Sequence, residues 1–345
     1  MDLPTVWFVA IAVLWTGYFV LEGFDFGVGM LLPVLGRGLR GEADRRVVIN
    51  AIGPVWDGNE VWLITAGGVT FAAFPTTYAV MFSTLYAPLL LILFGLIIRG
   101  ISFEFRGQID SPGWRKIWDS CLFVGSFVPA LLFGVAFANI FQGIPFDDKG
   151  VFHGTLFTLL NPYGILGGVL FVLLFVLHGS LWLAVKAEGP LYDRAAALSS
   201  KLWVLLLVVA VVFLAHTWFA TPLYKNYLSR PFLFVIPLAT VVALLMTRLF
   251  IAKRAWWNAW FASCLTIVGA TLFGVVGLYP NLYPSSLNPA FSLTAFNSSS
   301  SPLTLKIMLV VVLIFVPIVI LYQGWVYYLF KDKVTPEYLE SDEAY

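Results

Sequence analysis

Between Val55 and Leu63 the chain sets two carboxylates, Asp57 and Glu60, and the amide of Asn59 between two indoles, Trp56 and Trp62, inside an otherwise apolar run of helical length. A carboxylate without a partner costs several kcal/mol in hydrocarbon, so such groups imply a purpose. Glu22 and Asp25 interrupt the run from Trp7 to Leu35 in the same way. Two segments of this kind predict helices that share a polar seam.

The setting is a membrane. Of the 345 residues 60% are hydrophobic and 11% charged, and the mean hydropathy is +0.89, values that exclude an ordinary soluble domain. Nine apolar segments can span ~30 Å of hydrocarbon at ~1.5 Å per residue: 7–35, 47–74, 78–101, 117–141, 164–185, 201–221, 232–250, 257–278 and 303–330. The predicted fold is therefore an all-α polytopic membrane protein. Its nine transmembrane helices are expected as two four-helix bundles plus one peripheral helix. The divisions are 1–141 for a first bundle with the buried acidic seam, 142–163 for an external loop and 164–278 for a second bundle. An irregular external loop follows at 279–302, then a ninth helix with a short solvated tail at 303–345, whose acids are Glu337, Glu340, Asp342 and Glu343.

Basic residues set the orientation. Sixteen of the twenty Lys and Arg, among them Arg37, Arg40, Arg45 and Arg46, fall on one side if the nine segments alternate, leaving Lys149, Lys225, Arg230 and Lys306 for the other. The positive-inside rule then puts the N-terminus outside and the C-terminus in the cytoplasm. Met1-Asp2-Leu3-Pro4 lacks the basic start of a cleavable signal peptide. The two cysteines, Cys121 and Cys264, suggest neither a structural disulfide nor a metal cluster. A net charge of +1 gives no reason to expect a nucleic-acid partner.

Helical rise locates the acids. Asp25 lies about ten residues before the end of the first segment and Asp57 about ten after the start of the second, so both should sit ~15 Å above the cytoplasmic boundary, where they can face one another. Glu22 with Asp25, and Asp57 with Glu60, are spaced i, i+3, and Asn50, Gly53, Asp57 and Glu60 would form one stripe. Pro54 frees the Asn50 carbonyl and suits a hydrated kink. Arg99 and Glu104 end the third segment, where a path from the cytosol would begin. The functional reading is a chain of ionisable groups and waters that admits protons; the structural one is ion pairing that fixes bundle packing. His178 and His216 could ligate haem iron, but no paired-ligand spacing supports this and hydrogen-bonded packing is favoured. Gly23, Gly27 and Gly29 would admit a close helix or an extended cofactor, with helix packing the favoured reading.

Several blocks carry a family resemblance. The chain resembles subunit II of cytochrome bd quinol oxidases in Gly23-Phe24-Asp25-Phe26-Gly27-Val28-Gly29-Met30, in the block from Trp56-Asp57-Gly58-Asn59-Glu60 through Gly68, and in Gly125-Ser126-Phe127-Val128-Pro129. Asn139, Gln142-Gly143-Ile144-Pro145-Phe146, Leu160-Asn161-Pro162-Tyr163-Gly164 and Pro284-Ser285-Ser286 extend it over nearly the whole length. The resemblance implies a complex in the bacterial cytoplasmic membrane that oxidises quinol and reduces oxygen to water. Haem b and haem d are expected in a partner, subunit I, with which this chain pairs lengthwise. A small single-span subunit joins in part of the family, and a lipid or structural quinone is a further candidate partner. Asp25 and Asp57, with Arg99 nearby, match family residues associated with proton uptake. Glu60 and Glu104 depart from the family's frequent Gln and Asp, which weakens the carry-over there. The expected site is thus Asp25, Asp57, Arg99, Glu104, Glu22 and Glu60, supported by Trp56, Asn59 and Trp62, with no redox-step residue, metal ligand or cofactor contact. An ion-coupled membrane transporter is the rival reading, since midplane acids and broken helices mark those as well. A purely structural scaffold is a third.

Overall fold

The computed structural model describes residues 2–37 and 41–340. Arg40, Asp342 and Glu343 lie outside these residues. The helices are α1 (Leu3–Leu35), α2 (Glu42–Asn50), α3 (Trp56–Ala73), α4 (Pro75–Thr84), α5 (Tyr86–Phe105), α6 (Pro112–Gln142) and the single turn α7 (Leu156–Leu159). They continue with α8 (Pro162–Lys186), α9 (Gly189–Ala220), α10 (Tyr224–Ser229), α11 (Val235–Ala252), α12 (Trp256–Leu278), α13 (Pro302–Leu329) and α14 (Pro336–Leu339). Among the described residues eight helices are long and apolar enough to cross a membrane: α1, α5, α6, α8, α9, α11 with the 3-10 turn before it, α12 and α13.

The all-α polytopic architecture agrees with the sequence reading, but the second and third segments are not continuous helices. Each is broken where a proline removes a backbone donor. Pro54 cannot donate to Asn50, and Ala51–Val55 forms turns between α2 and α3. Pro88 cannot donate to Thr84, and the helix restarts at Tyr86 after Leu85. Phe74, at φ −136° and ψ 66° before Pro75, leaves the helical region and separates α3 from α4. The proposed stripe through Asn50, Gly53, Asp57 and Glu60 therefore does not exist as one helix face.

Helix α1 is central and packs on α3, α6, α8 and α12. Its contact with α8 is backbone to backbone: a Cβ on Gly27 would lie 1.9 Å from the Phe175 carbonyl oxygen, and one on Gly179 2.5 Å from Val28 N. Without a water-exclusion force between helices in lipid, such approach is a main source of cohesion. It assigns Gly27 to helix packing. Helix α6 likewise meets α8 at Gly134 and Gly167, so the two halves of the chain adjoin along α8.

The connections at one end of the bundle are more ordered than their composition suggests. Strands β1 (Asn281–Tyr283) and β2 (Leu293–Thr294) pair antiparallel. Ile144 N donates to Pro284 O at 2.9 Å and accepts at its own oxygen from Ser286 N at 3.0 Å. Ser285 Oγ donates to Phe146 O at 2.6 Å, and Tyr283 is fully buried beneath. Hydrogen bonding thus corrects the reading of 279–302 as an irregular loop. At the opposite end, on the α2 side, the start of the tail is docked: Lys186 Nζ donates to Phe330 O and Asp332 O, and Arg46 of α2 donates to Leu339 O.

At the same end α2 is tied down by charge. Arg106 forms two hydrogen bonds to Glu42 at 2.8 and 3.0 Å and one to Asp119 at 2.6 Å, while Arg194 reaches Asp44 at 2.6 Å. Partial burial pushes the Glu42 carboxyl up, but the hydrogen bonds from Arg106 and the charges of Arg106, Arg115 and Arg45 outweigh it and hold the group below its ordinary 4.5. A carboxyl so lowered contributes stability that is complete above pH 4.5 and is lost as pH falls through its folded value. Melting of the detergent-solubilised protein should therefore drop below that pH, and Glu42→Gln should flatten the acid limb while lowering the plateau. An unchanged limb in the variant would assign the acid sensitivity elsewhere.

Candidate functional site

Three elements build the polar centre. Helix α1 supplies Glu22 and Asp25, α3 supplies Asn59 and Glu60, and α5 supplies Arg99. Glu22, Asp25 and Arg99 are fully buried. Arg99 Nη1 is paired with Glu22 Oε1 and lies 3.8 Å from Glu60 Oε2. The guanidinium also sits over the Phe26 ring, 4.8 Å from its centroid, a favourable placement for a cation away from water. Glu60 keeps 21% of its side chain exposed, so it links the buried pair to the surface.

Asp25 meets an amide, not a second carboxylate. Asn59 Nδ2 donates to Asp25 Oδ2 at 2.7 Å and to Leu21 O at 3.3 Å. Asp57 is exposed on the chain's surface and accepts from Gly58 N at 2.7 Å. The expectation that Asp25 and Asp57 face one another is thus corrected. With α3 starting afresh at Trp56, its rotation brings position 59 to α1 and turns position 57 outward.

Other expected residues take distinct places. Trp56 stacks on Phe103 at 4.8 Å between ring centroids, one helical turn from Arg99. Glu104 is exposed and borders a polar cleft of about 530 Å³ with Glu42, Arg46, Arg106 and Arg115. That cleft opens on the α2 side, and Phe103 lies in its wall. Trp62 Nε1 donates to Gln323 Oε1 at 2.8 Å. Gln323 Nε2 in turn donates to Gly58 O at 2.7 Å, and Tyr327 OH to Asn59 Oδ1 at 2.8 Å. Gln323 and Tyr327 were missed from sequence; their i, i+4 spacing on an otherwise apolar helix was the available signal.

Several buried polar atoms here have no hydrogen-bond partner among the described residues: Tyr18 OH, Glu22 Oε2, Asp25 Oδ1, and Nε and Nη2 of Arg99. Such atoms mark a site suited to internal water, because unmet buried groups cost 1–3 kcal/mol each by typical magnitudes. The arrangement can hold a carboxylate against a fixed cation and leaves titratable oxygens with room for further hydrogen bonds.

His178 is placed as a hydrogen-bonded packing residue. His178 uses both ring nitrogens, toward Ser263 Oγ and, at 3.1 Å, Val20 O, and it stacks on Trp260. His216 is half-buried with its ring against Tyr163. No group of three His, Cys, Asp or Glu able to hold a metal occurs among the described residues.

Fold and site together define a multi-pass helical membrane subunit with a buried carboxylate–guanidinium centre approached from one side. The family model described as cytochrome bd terminal oxidase subunit II matches residues 3–330, and the chain belongs to that family. It is 39% identical to the cytochrome bd ubiquinol oxidase subunit 2 of Bacillus subtilis, covering 97% of each chain. It is 38% identical to the cytochrome bd-I ubiquinol oxidase subunit 2 of Escherichia coli K12, over 99% of this chain and 97% of the relative. A Haemophilus influenzae protein described as a probable cytochrome oxidase subunit 2 is also 38% identical, with the same coverage. The solved bd oxidase of Geobacillus thermodenitrificans shares the fold, with a TM-score of 0.80 at 17% identity, over 96% of this chain and 99% of that one. The protein is accordingly a subunit of a bd-type terminal oxidase complex.

Proposed function

We propose that this chain carries protons from the α2 side of the membrane toward a haem-bearing subunit I, and supports that subunit's assembly, in a complex that oxidises quinol and reduces oxygen to water. The haems b and d of the partner supply the electron transfer and oxygen chemistry. The α2 side is cytoplasmic in this reading, with the N-terminus outside, in the bacterial cytoplasmic membrane. The path uses Glu104 at the cleft, then Glu60, Arg99 with Glu22, and Asp25, with Asp57 at the exposed start of α3. Trp56, Asn59 and Trp62 frame it. In this reading the redox groups belong to the partner, and the isolated chain does not turn over by itself. The first-half and second-half helices act as two bundles in this scheme, with α13 peripheral.

The observation that carries the reading is the cluster of Glu22, Asp25 and Arg99 buried within apolar helices, with the half-buried Glu60 beside them, one turn from a polar cleft. An ion-coupled transporter would need a comparable centre in its other half, whereas α8, α9, α11 and α12 bear no buried carboxylate among the described residues. Asp57→Asn tests the path at its exposed end. Asn can accept from Gly58 N as Asp does, so the start of α3 keeps its shape. The complex should purify with its haem spectrum intact and with oxygen consumption lowered about tenfold or more, in the manner of a lost proton-transfer group. Loss of haem together with activity would support the scaffold reading, and a colourless protein active alone would support the transporter.

A further inference from the structure

We propose that Tyr327 of α13 is a positioning residue that, through Asn59, reserves one oxygen of Asp25 for the travelling proton. The inference rests on the reading of Asp25 as a proton carrier. Asn59 is held at three points: its Nδ2 donates to Asp25 Oδ2 at 2.7 Å and to Leu21 O at 3.3 Å, and its Oδ1 accepts from the Tyr327 hydroxyl at 2.8 Å. Turned by half a rotation, the amide would set its oxygen against two acceptors. Leu21 O can only accept and so sets the N–H groups toward Asp25, and the Tyr327 hydroxyl completes this orientation by donating to Oδ1, which would otherwise be a buried acceptor without a partner. Asp25 Oδ2 stays an acceptor in either protonation state, and an arriving proton must bind Oδ1, the oxygen with no hydrogen-bond partner among the described residues. A proton there can leave again; one on Oδ2 would be held by a turned amide.

The surroundings of α13 strengthen the assignment. Leu305 is its one buried residue among the described ones, yet Gln323 and Tyr327, one turn apart, direct their polar groups to Gly58, Asn59 and Trp62 of α3. Before these two residues, from Ile307 to Leu321, the helix presents apolar side chains, so they do not belong to a continuous polar face.

Tyr327→Phe keeps the ring and removes the donor. In the intact complex we expect normal haem content and turnover about tenfold lower, since an unpaired buried acceptor is costly. In reaction-induced infrared spectra the protonated Asp25 carbonyl band, identified by its loss in Asp25→Asn, should shift to higher wavenumber as its hydrogen bond weakens. Asn59→Ala should shift the band in the same direction, and adding Tyr327→Phe to it should cost no further turnover. Gln323→Leu, which leaves the hydroxyl in place, should not move the band. An unmoved band in haem-replete Tyr327→Phe, or equal loss of turnover with and without Asn59, overturns the inference. Should Tyr327→Phe not assemble, the band in Asn59→Ala decides alone. Normal turnover in Asp25→Asn would instead remove the proton path and leave the band test of the amide standing.

Discussion

Asp25→Asn should leave a fully assembled, haem-replete complex whose oxygen consumption is lowered about a hundredfold or more, the scale set by loss of a positioned acid–base group. The substitution is nearly isosteric, and an amide oxygen at position 25 can still accept from Asn59 Nδ2. Packing on α1 is therefore preserved while the titratable group is removed. The unpartnered oxygens of Glu22 and Asp25 suit internal water, a bypass for part of the proposed proton flow, so the residual rate should exceed zero. Oxygen uptake with reduced quinol, measured against haem absorbance on the same sample, separates loss of transfer from loss of assembly. Near-normal uptake in that sample would sink the assignment of Asp25.

Arg99→Leu acts on stability first. It leaves Glu22 fully buried without its partner, and breaking a buried pair from one side costs about 3–5 kcal/mol. That is a large share of the stability of most domains, so the complex should accumulate poorly and melt early. Glu22→Leu in the same chain removes the orphaned carboxylate and should restore much of the yield, since an apolar replacement of a whole pair is often neutral. Glu60 needs no such compensation because it reaches the surface. Equal yields and melting temperatures for Arg99→Leu and the parent would show that Glu22 is neutral or otherwise satisfied. Turnover should remain low in the double variant, which keeps the stability and transfer roles of the pair distinct.

The acids were readable from sequence because ionised groups in apolar runs have few explanations, and Glu22, Asp25, Glu60 and Arg99 do converge. Their partners were less readable. Positions 57 and 59 lie on nearly opposite sides of a helix, so which one meets Asp25 depends on where α3 begins. A continuous helix from Val47 carries one phase through Pro54; the observed restart at Trp56 carries another. The proline was visible, but the size of the phase change was not. Gln323 and Tyr327 were obscured for a different reason: their importance lies in what they touch, more than 250 residues earlier in the chain. The charges around α2 were read only as an orientation signal, because Glu42, Arg106 and Asp119 come from separate elements and periodicity does not pair them. The Pro- and Ser-rich 279–302 segment looked irregular because its order comes from hydrogen bonds to the region after α6, and not from local propensity.

The contact between Tyr327 and Asn59 joins residues 268 positions apart. Chains are made from the N-terminus at about 5–20 residues per second, so α1 and α3 emerge long before the tyrosine exists. Newly inserted α1 and α3 must then wait tens of seconds, on that scale, with the Asn59 oxygen lacking the Tyr327 donor. Trp7, whose indole donates to Leu305 O at 3.1 Å, waits for the same helix. Insertion of α13 is thus a late step of the subunit's biogenesis that its own polar centre can register, and a nascent chain stalled before Gln323 would hold every acid of the site but not the hydroxyl that meets the Asn59 amide.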